Sequence, residues 1–482
     1  MNLYLVFLTP LIIALAAALV PSERLRPWLV PLAAVINLLL VLRIIAVPAA
    51  GIPATGASMF GLDPLGRLIL LVVSLLYTGC AFYGIGYFRT HPTWSNRTFI
   101  ICLLVFLSAM SFAAGARHLG LLWVAVEATT IVSAPLIYFN RNRFSIEATW
   151  KYLLLCSVGI ALAMLGILFV AYAGLAGSGE ETLQIDRMME AAPIFSKPWL
   201  RTAFVFLLVG FGTKMGLAPL HTWKPDAYGE APGLAGGLLA GGLTSIAFLA
   251  VLRVVQVMNA AGEQTLAYQS LLFLGLLSLG FAATFVIRQR DIKRMLAYSS
   301  VEHMGILAIG VAIGGMATYG AMFHVINNAL TKGSLFMSAG NIHRYFGSKK
   351  MCEIQGAVSV LPWSASIFLM GFLAIAGSPP FGPFISEFTI LRGIFYSGNT
   401  WVGIAFISLL AIIFVGMSFT VTTVALGSSM EEQPGPEAIW ENAMTVGSPL
   451  LLLLAVLVLG VYLPESLQTL LQDAAGLIEV NR

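Results

Sequence analysis

The sequence carries very little charge. Only 10% of its 482 residues are Asp, Glu, Lys or Arg, against about 25% in a soluble globular chain. That shortage argues against a water-soluble fold. The net charge of +4 is small and scattered, which excludes the concentrated basic footprint of a nucleic-acid-binding protein. Cysteine is scarce as well. Cys80, Cys102, Cys156 and Cys352 have no CxxC or CxxH spacing, so no metal site, iron–sulfur cluster or attached haem is expected in this chain. No phosphate-cradling glycine loop, dinucleotide fingerprint or nucleophile–His–acid set occurs in a strand-like context, and no catalytic residues are expected. The N-terminus lacks a basic stretch before its apolar run, so residues 2–20 read as a retained span and not a cleaved leader.

Apolar residues are abundant instead, at 59% of the chain. Runs of roughly 20 of them recur along its whole length. Fourteen spans are expected, near 2–20, 27–48, 66–88, 98–115, 118–139, 149–175, 199–220, 233–254, 268–287, 295–315, 318–342, 361–390, 399–427 and 447–463. In lipid each backbone polar group needs a partner within the chain, so the spans are helices and the fold class is all-α integral membrane. No soluble domain interrupts them; the longest loops, 176–198 and 428–446, are short. Most loop cations follow odd-numbered spans, among them Arg141, Arg143, Lys151, Lys224, Lys293, Arg294, Lys349 and Lys350. The other side holds fewer, including Arg117, Arg201, Arg253 and Arg482. The richer side should be cytoplasmic, which places both termini outside.

Two spans are broken. The seventh is interrupted at "GLAP" (216–219) and the twelfth at "GSPPFGP" (377–383). Such breaks free backbone groups that must be satisfied within protein or by water, so they mark a cavity. They lie five helices apart, and five is odd. If spans 4–8 and 9–13 are equivalent units, the second is inverted relative to the first. The chain then divides into 1–97 (spans one to three), a first repeat at 98–254, an inverted second repeat at 268–427, and 447–482 (span fourteen and a short tail).

Ionisable residues stand inside these spans, each costing about 2.5 kcal/mol or more to insert, which makes them functional candidates. Glu127 sits mid-span in "HLGLLWVAVEATTIVSAPLIYF", and Lys214 lies well inside span seven. Glu302 and His303 occur in "AYSSVEHMGILAIG", and Glu387 follows the second break. His324, Asn328 and Lys332 are spaced by four, a stripe on one helix face rising about 12 Å. That geometry suits a hydrated file better than a single pocket. A lysine beside a carboxylate keeps its proton, and one whose carboxylate pairs elsewhere releases it. An acid–lysine array can therefore pass protons stepwise.

At these residues the sequence resembles a known family. "TKMGLAPLHTWKPDAYGEAP", "RDIKRMLAYSSVEHMGILAIG" and "GSPPFGPFISEFTIL" are similar to the hallmark segments of the antiporter-like membrane subunits of complex I, Mrp-type sodium/proton antiporters and complex I-related membrane-bound [NiFe] hydrogenases. The likeness spans roughly residues 60–430. It implies fourteen helices with inverted five-helix repeats, in agreement with the breaks. It implies that Glu127 and Lys214 form a coupling pair, that His324 and Lys332 belong to a central axis, and that Glu387 is the terminal site. It also implies that Asp291, Lys293 and Arg294 pin helix ends.

Two departures stand out. Where many complex I members carry a lysine on helix eight, this chain reads "LLAGGLTSIAF", which places Ser245 or Thr244 near that position. The link from Lys214 to the axis must then use water or His221, or be weaker. Glu302 stands where many complex I members have a small residue. This variant, with the modest length and no long lateral helix after Leu463, resembles the hydrogenase-4 component F type. The resemblance implies a proton-translocating subunit of a redox-driven hetero-oligomeric complex in a bacterial or archaeal inner membrane. Its partners would be other membrane subunits of the same family and a peripheral redox arm. Fe–S clusters and [NiFe] or flavin centres would sit in those partners, with no cofactor in this chain. An NADH/quinone-type complex I subunit, an Mrp-type antiporter subunit, an autonomous secondary transporter and an inactive scaffold stay open as alternatives.

Overall fold

In a computed structural model of the chain, residues 3–46, 59–89, 95–179, 182–428 and 441–479 are described. Asn2, Val47, Pro48, Arg482 and most of the 428–446 loop, which figured in the expectations above, lie outside them. The described residues form helices and isolated bridges, with no strand among them. In chain order the helices are α1 (Leu5–Leu19), α2 (Leu29–Ala46), α3 (Pro64–Arg89), α4 (Arg97–Gly115), α5 (Leu119–Ile137), α6 (Arg143–Ser178), α7 (Ile185–Ala191) and α8 (Lys197–Met215). There follow α9 (Trp223–Glu230), α10 (Gly233–Gly237), α11 (Thr244–Ala260), α12 (Gln264–Val286), α13 (Ile292–Ile313) and α14 (Met316–Phe346). The chain continues through α15 (Ala357–Val360), α16 (Pro362–Ile375), α17 (Gly382–Tyr396), α18 (Thr400–Leu426), α19 (Ala443–Val461) and α20 (Glu465–Gly476).

Among the described residues, ten helices are long and apolar enough to cross a bilayer. The other expected spans fall on α1, α8 with α9, α14, and α16 with α17, which are shorter, broken or more polar. Both expected breaks are present. α8 ends at Gly216, whose φ of 79° is left-handed, and α16 is followed by Gly377 at 68°. Cis peptides occur at Ala218–Pro219 and Pro379–Pro380. A π-helical turn, Leu238–Leu243, joins α10 to α11. The tail after Leu463 holds the twelve-residue α20.

Small residues set the helix spacing, as membrane interfaces require when no hydrophobic force drives association. On α6, Gly159 and Ala163 let α8 approach: a Cβ on Gly210 would stand 2.6 Å from both the Gly159 carbonyl oxygen and Ala163 Cβ. On α10 and the π-helical turn that follows it, the stripe Gly233, Gly237 and Gly241 lies against Gly340, Gly333 and Ala329 of α14. One turn before Ser245, a Cβ on Gly241 would stand 2.9 Å from the Ala329 carbonyl oxygen of α14.

Ion pairs and hydrogen bonds sort the connections into two groups. After odd-numbered expected spans, Lys151 and Arg294 both pair with Asp226, at 3.0 and 2.9 Å. Lys349 pairs with Glu230 and donates to Gly229 O at 3.1 Å. Asp291 caps α13, accepting from the backbone N–H of Lys293 and Arg294. After even-numbered spans, Asp63 binds Arg253 through both carboxylate oxygens (2.5 and 2.6 Å) and Arg117 at 2.9 Å, while Arg117 reaches Asp186. Helices that alternate in direction produce this sorting.

Several loop cations of the expected charge count prove buried, Lys293 of α13 among them. Arg253 is 1% exposed and lies inside the Asp63 cluster, and Arg117 is largely buried beside it. Lys224 is no loop residue at all. It lies in α9 and is fully buried. A helix that resumes after a break carries its cation back inside, which hydropathy along the sequence does not register.

Candidate functional site

The first part of the site lies between α5, α6 and α8. The close α6–α8 contact brings Tyr152 beside Lys214, whose ammonium is fully buried and donates to Tyr152 Oη at 2.8 Å. It also donates to Thr130 Oγ1 at 2.7 Å, and Thr130 Oγ1 donates to Glu127 Oε2 at 3.0 Å. Glu127 and Lys214 are therefore bridged by one hydroxyl and not directly paired. Thr130 lies one turn beyond Glu127, so the same helix face carries acid and bridge. Glu127 is half-buried and also accepts from Ser157 Oγ at 3.4 Å. Tyr152 extends the group through a 2.6 Å hydrogen bond with Ser133.

The second part lies between α13, α14 and α17. His303 Nδ1 and His324 Nε2 share a 3.0 Å hydrogen bond, and His324 Nδ1 meets Ser386 Oγ at 2.9 Å. Glu302 and Glu387 flank the pair, each with a carboxylate oxygen 3.9 Å from a nitrogen of His303. Ser299 donates to Glu302 at 3.1 Å. Lys332, two turns along α14 from His324, donates to the Leu296 carbonyl at 3.3 Å. His324, Asn328 and Lys332 are all buried on one α14 face, as the spacing predicts. Close packing places Ser386 there: a Cβ on Gly320 would stand 3.1 Å from the Ser386 carbonyl oxygen. His303, His324 and Glu387 each bring one polar atom to within 4.8 Å of the others. Three buried groups at that distance can share a proton.

Several buried polar atoms near this axis have no hydrogen-bond partner among the described residues: His303 Nε2, Asn327 Oδ1, Asn328 Oδ1 and Glu387 Oε1. Buried polar atoms are ordinarily satisfied by protein or by ordered water, so the axis has the lining of a wetted path.

Two expected members are not joined to it. Ser245 Oγ donates to Gly241 O of its own helix at 2.5 Å. His221 is buried against the rings of Phe281 and Tyr298, and no hydrogen bond links it to Lys214. Ser245→Ala is accordingly expected to leave ion translocation unchanged, which a flux assay on the reconstituted complex checks. Sequence reasoning missed Thr130, Tyr152, Ser386 and Lys224. Thr130 was legible, three residues after a buried acid. Tyr152 and Ser386 depend on which helices touch.

Residues 116–414 match the family described as NADH:quinone oxidoreductase/Mrp antiporter, TM. Over 292 residues, 60% of this chain, the sequence is 36% identical to a hydrogenase-4 component F homolog of Methylacidiphilum infernorum, and it spans 61% of that relative's length. It is 29% identical to NADH-quinone oxidoreductase subunit N of Desulforudis audaxviator, over 83% of this chain and 80% of the relative. In fold it is similar to a chain of the membrane-bound sulfane sulfur reductase, an archaeal respiratory membrane complex, with TM-score 0.87 at 20% identity, covering 99% of this chain and 97% of that one. The match covers more than half of the chain, and the chain belongs to the NADH:quinone oxidoreductase/Mrp antiporter family of integral membrane proteins.

Proposed function

We propose that this chain is a proton-translocating subunit of a redox-driven membrane complex, a complex I-related membrane-bound hydrogenase. The observation that carries the reading is the Lys214 ammonium, fully buried and held by two hydroxyls, one of which leads to Glu127. Moving Glu127 off that bridge changes the field at Lys214 and lets it exchange a proton. Lysines and histidines dominate the axis, where a sodium site would group carboxylates and carbonyls, so the ion is the proton. The hydrogenase branch is supported by the component F homolog.

Redox centres, Fe–S clusters with a [NiFe] or flavin site, belong to partner subunits, and this chain supplies only the ion path. The richer cation side faces the cytoplasm and both termini face outward. Units 98–254 and 268–427 are inverted repeats. In support, each contains a helix broken at a left-handed glycine. Each also carries one acid of the site on the second helix of the unit, Glu127 on α5 and Glu302 on α13.

The test is redox-driven proton uptake by liposomes carrying the complex, wild type against Lys214→Ala. Flux per electron pair is expected to fall about tenfold or more with the complex still assembled. Unchanged flux sinks the reading and leaves a scaffold.

A further inference from the structure

The two parts of the site leave a gap. Lys214 belongs to α8 and Lys332 to α14, and neither Ser245 nor His221 reaches from one to the other. We propose that Lys224 is the proton carrier that spans this gap. The proposal rests on the translocation reading above.

The first break builds a socket for Lys224. α9 resumes directly after it, and Lys224 turns back so that its stem lies against Gly216. A Cβ on Gly216 would overlap Lys224 Cε and stand 2.6 Å from Nζ. Glycine is required there twice over, for the left-handed φ of 79° and for the lysine. The side chain is fully buried. Its Nζ donates to Ser300 Oγ on α13 at 3.3 Å and lies 5.9 Å from the centre of the Tyr228 ring.

Its surroundings place it between the two parts. Trp223, the residue before Lys224, packs with its ring centre 5.1 Å from that of Tyr152, which accepts from Lys214. Ser300 adjoins Ser299, which holds Glu302, and Glu302 in turn acts on Lys332. Lys224 thus stands beside the Tyr152 side of the first part and the Ser299–Glu302 side of the second.

A purely structural cation would have a counter-charge, and among the described residues this one has none within ion-pair distance. The two acids of α9 are committed elsewhere, Asp226 to Lys151 and Arg294 and Glu230 to Lys349. Among the described residues no carboxylate lies within 4.0 Å of Lys224 Nζ. A lysine locked in an ion pair keeps its proton, whereas one with neutral ligands can change charge as its neighbours do. In the transfer, an N–H bond of the Lys214 ammonium breaks and an N–H bond forms on the Lys224 amine, through water. Lys224 then returns to the amine as its proton passes to the Lys332 amine or the Glu302 carboxylate.

The experiment compares protons moved per electron pair in proteoliposomes of the whole complex, per assembled complex, for Lys224→Met, Lys224→Arg and Lys224→His. Methionine and arginine are both expected to lower the ratio about tenfold or more, because a guanidinium keeps the charge but does not give up its proton. Histidine, which titrates, is expected to return part of the flux. Wild-type pumping with methionine or with arginine overturns the proposal, as does a histidine variant no better than arginine. Arginine retains the charge, so a methionine variant that fails to assemble leaves the arginine–histidine comparison to decide. Lys214→Ala runs in parallel. If it pumps normally, the translocation reading itself fails; if it is dead while Lys224→Met pumps, only the role of Lys224 falls.

Discussion

Asp63→Ala is expected to destabilise the protein by about 3–5 kcal/mol, the cost of removing one partner from a buried ionic cluster. Asp63 holds Arg253 through both oxygens and Arg117 through one. Without it the 1%-exposed Arg253 guanidinium is stranded. The carboxylate stands at the start of α3 and ties it to the α4–α5 connection and to α11, so its loss frees three segments together. The measurement is thermal unfolding of the detergent-solubilised chain. Adding Arg253→Met is expected to recover part of the loss, since removing both partners leaves no unpaired charge. An unchanged Tm in the single variant would mean that the cluster does not hold the fold.

The same cluster sets an acid limit. Burial alone would raise the Asp63 carboxyl, but Arg253 and then Arg117 more than offset it and hold it well below the ordinary range. A depressed carboxylate contributes stability in full above its unfolded pKa of about 3.9 and loses it as pH falls toward the folded value. Wild-type Tm is therefore expected to drop below about pH 4, and Asp63→Ala to lack that part of the slope.

Gly460→Val is the second large expected effect. Gly460 of α19 lies on the second break, and a Cβ there would overlap the Pro380 carbonyl oxygen and stand 2.6 Å from Phe381 C and 2.7 Å from Gly382 N. Those neighbours are backbone, which yields less than a side-chain tip. Overpacking costs about 1–3 kcal/mol in general, and this variant is expected at the top of that range or above. Its consequence reaches the site, because Gly382 opens α17, which carries Ser386 and Glu387. Pushing α17 away stretches the 2.9 Å His324–Ser386 hydrogen bond, so proton flux is expected to fall along with Tm. Gly447→Ala on the same helix is the control: nothing lies within 4 Å of a Cβ there, and both readouts should stay at wild type.

Much of this molecule was legible in one dimension. Scarce charge and recurring apolar runs specify a helical membrane bundle, because lipid leaves a backbone no other way to satisfy its polar groups. Pro and Gly clusters at 216–219 and 377–383 mark both breaks, and the cost of burying charge singles out Glu127, Lys214, Glu302, His303, His324, Lys332 and Glu387. The four-residue spacing of His324, Asn328 and Lys332 is a local helical property, and the structure keeps it.

Partnership was not legible. That a threonine hydroxyl stands between Glu127 and Lys214, that Ser245 closes on its own helix, and that Lys224 turns inward all depend on which helices meet and how closely. Glycines on α6, α8, α10 and the π-helical turn after α10 control that approach. The sequence alone determined the solvent, the helices, the breaks and the charges placed in lipid, since those follow from local chemistry. Only the tertiary structure decided which charges share a neighbour, because a hydrogen bond across a bundle depends on ångström-scale packing that no spacing along one chain encodes.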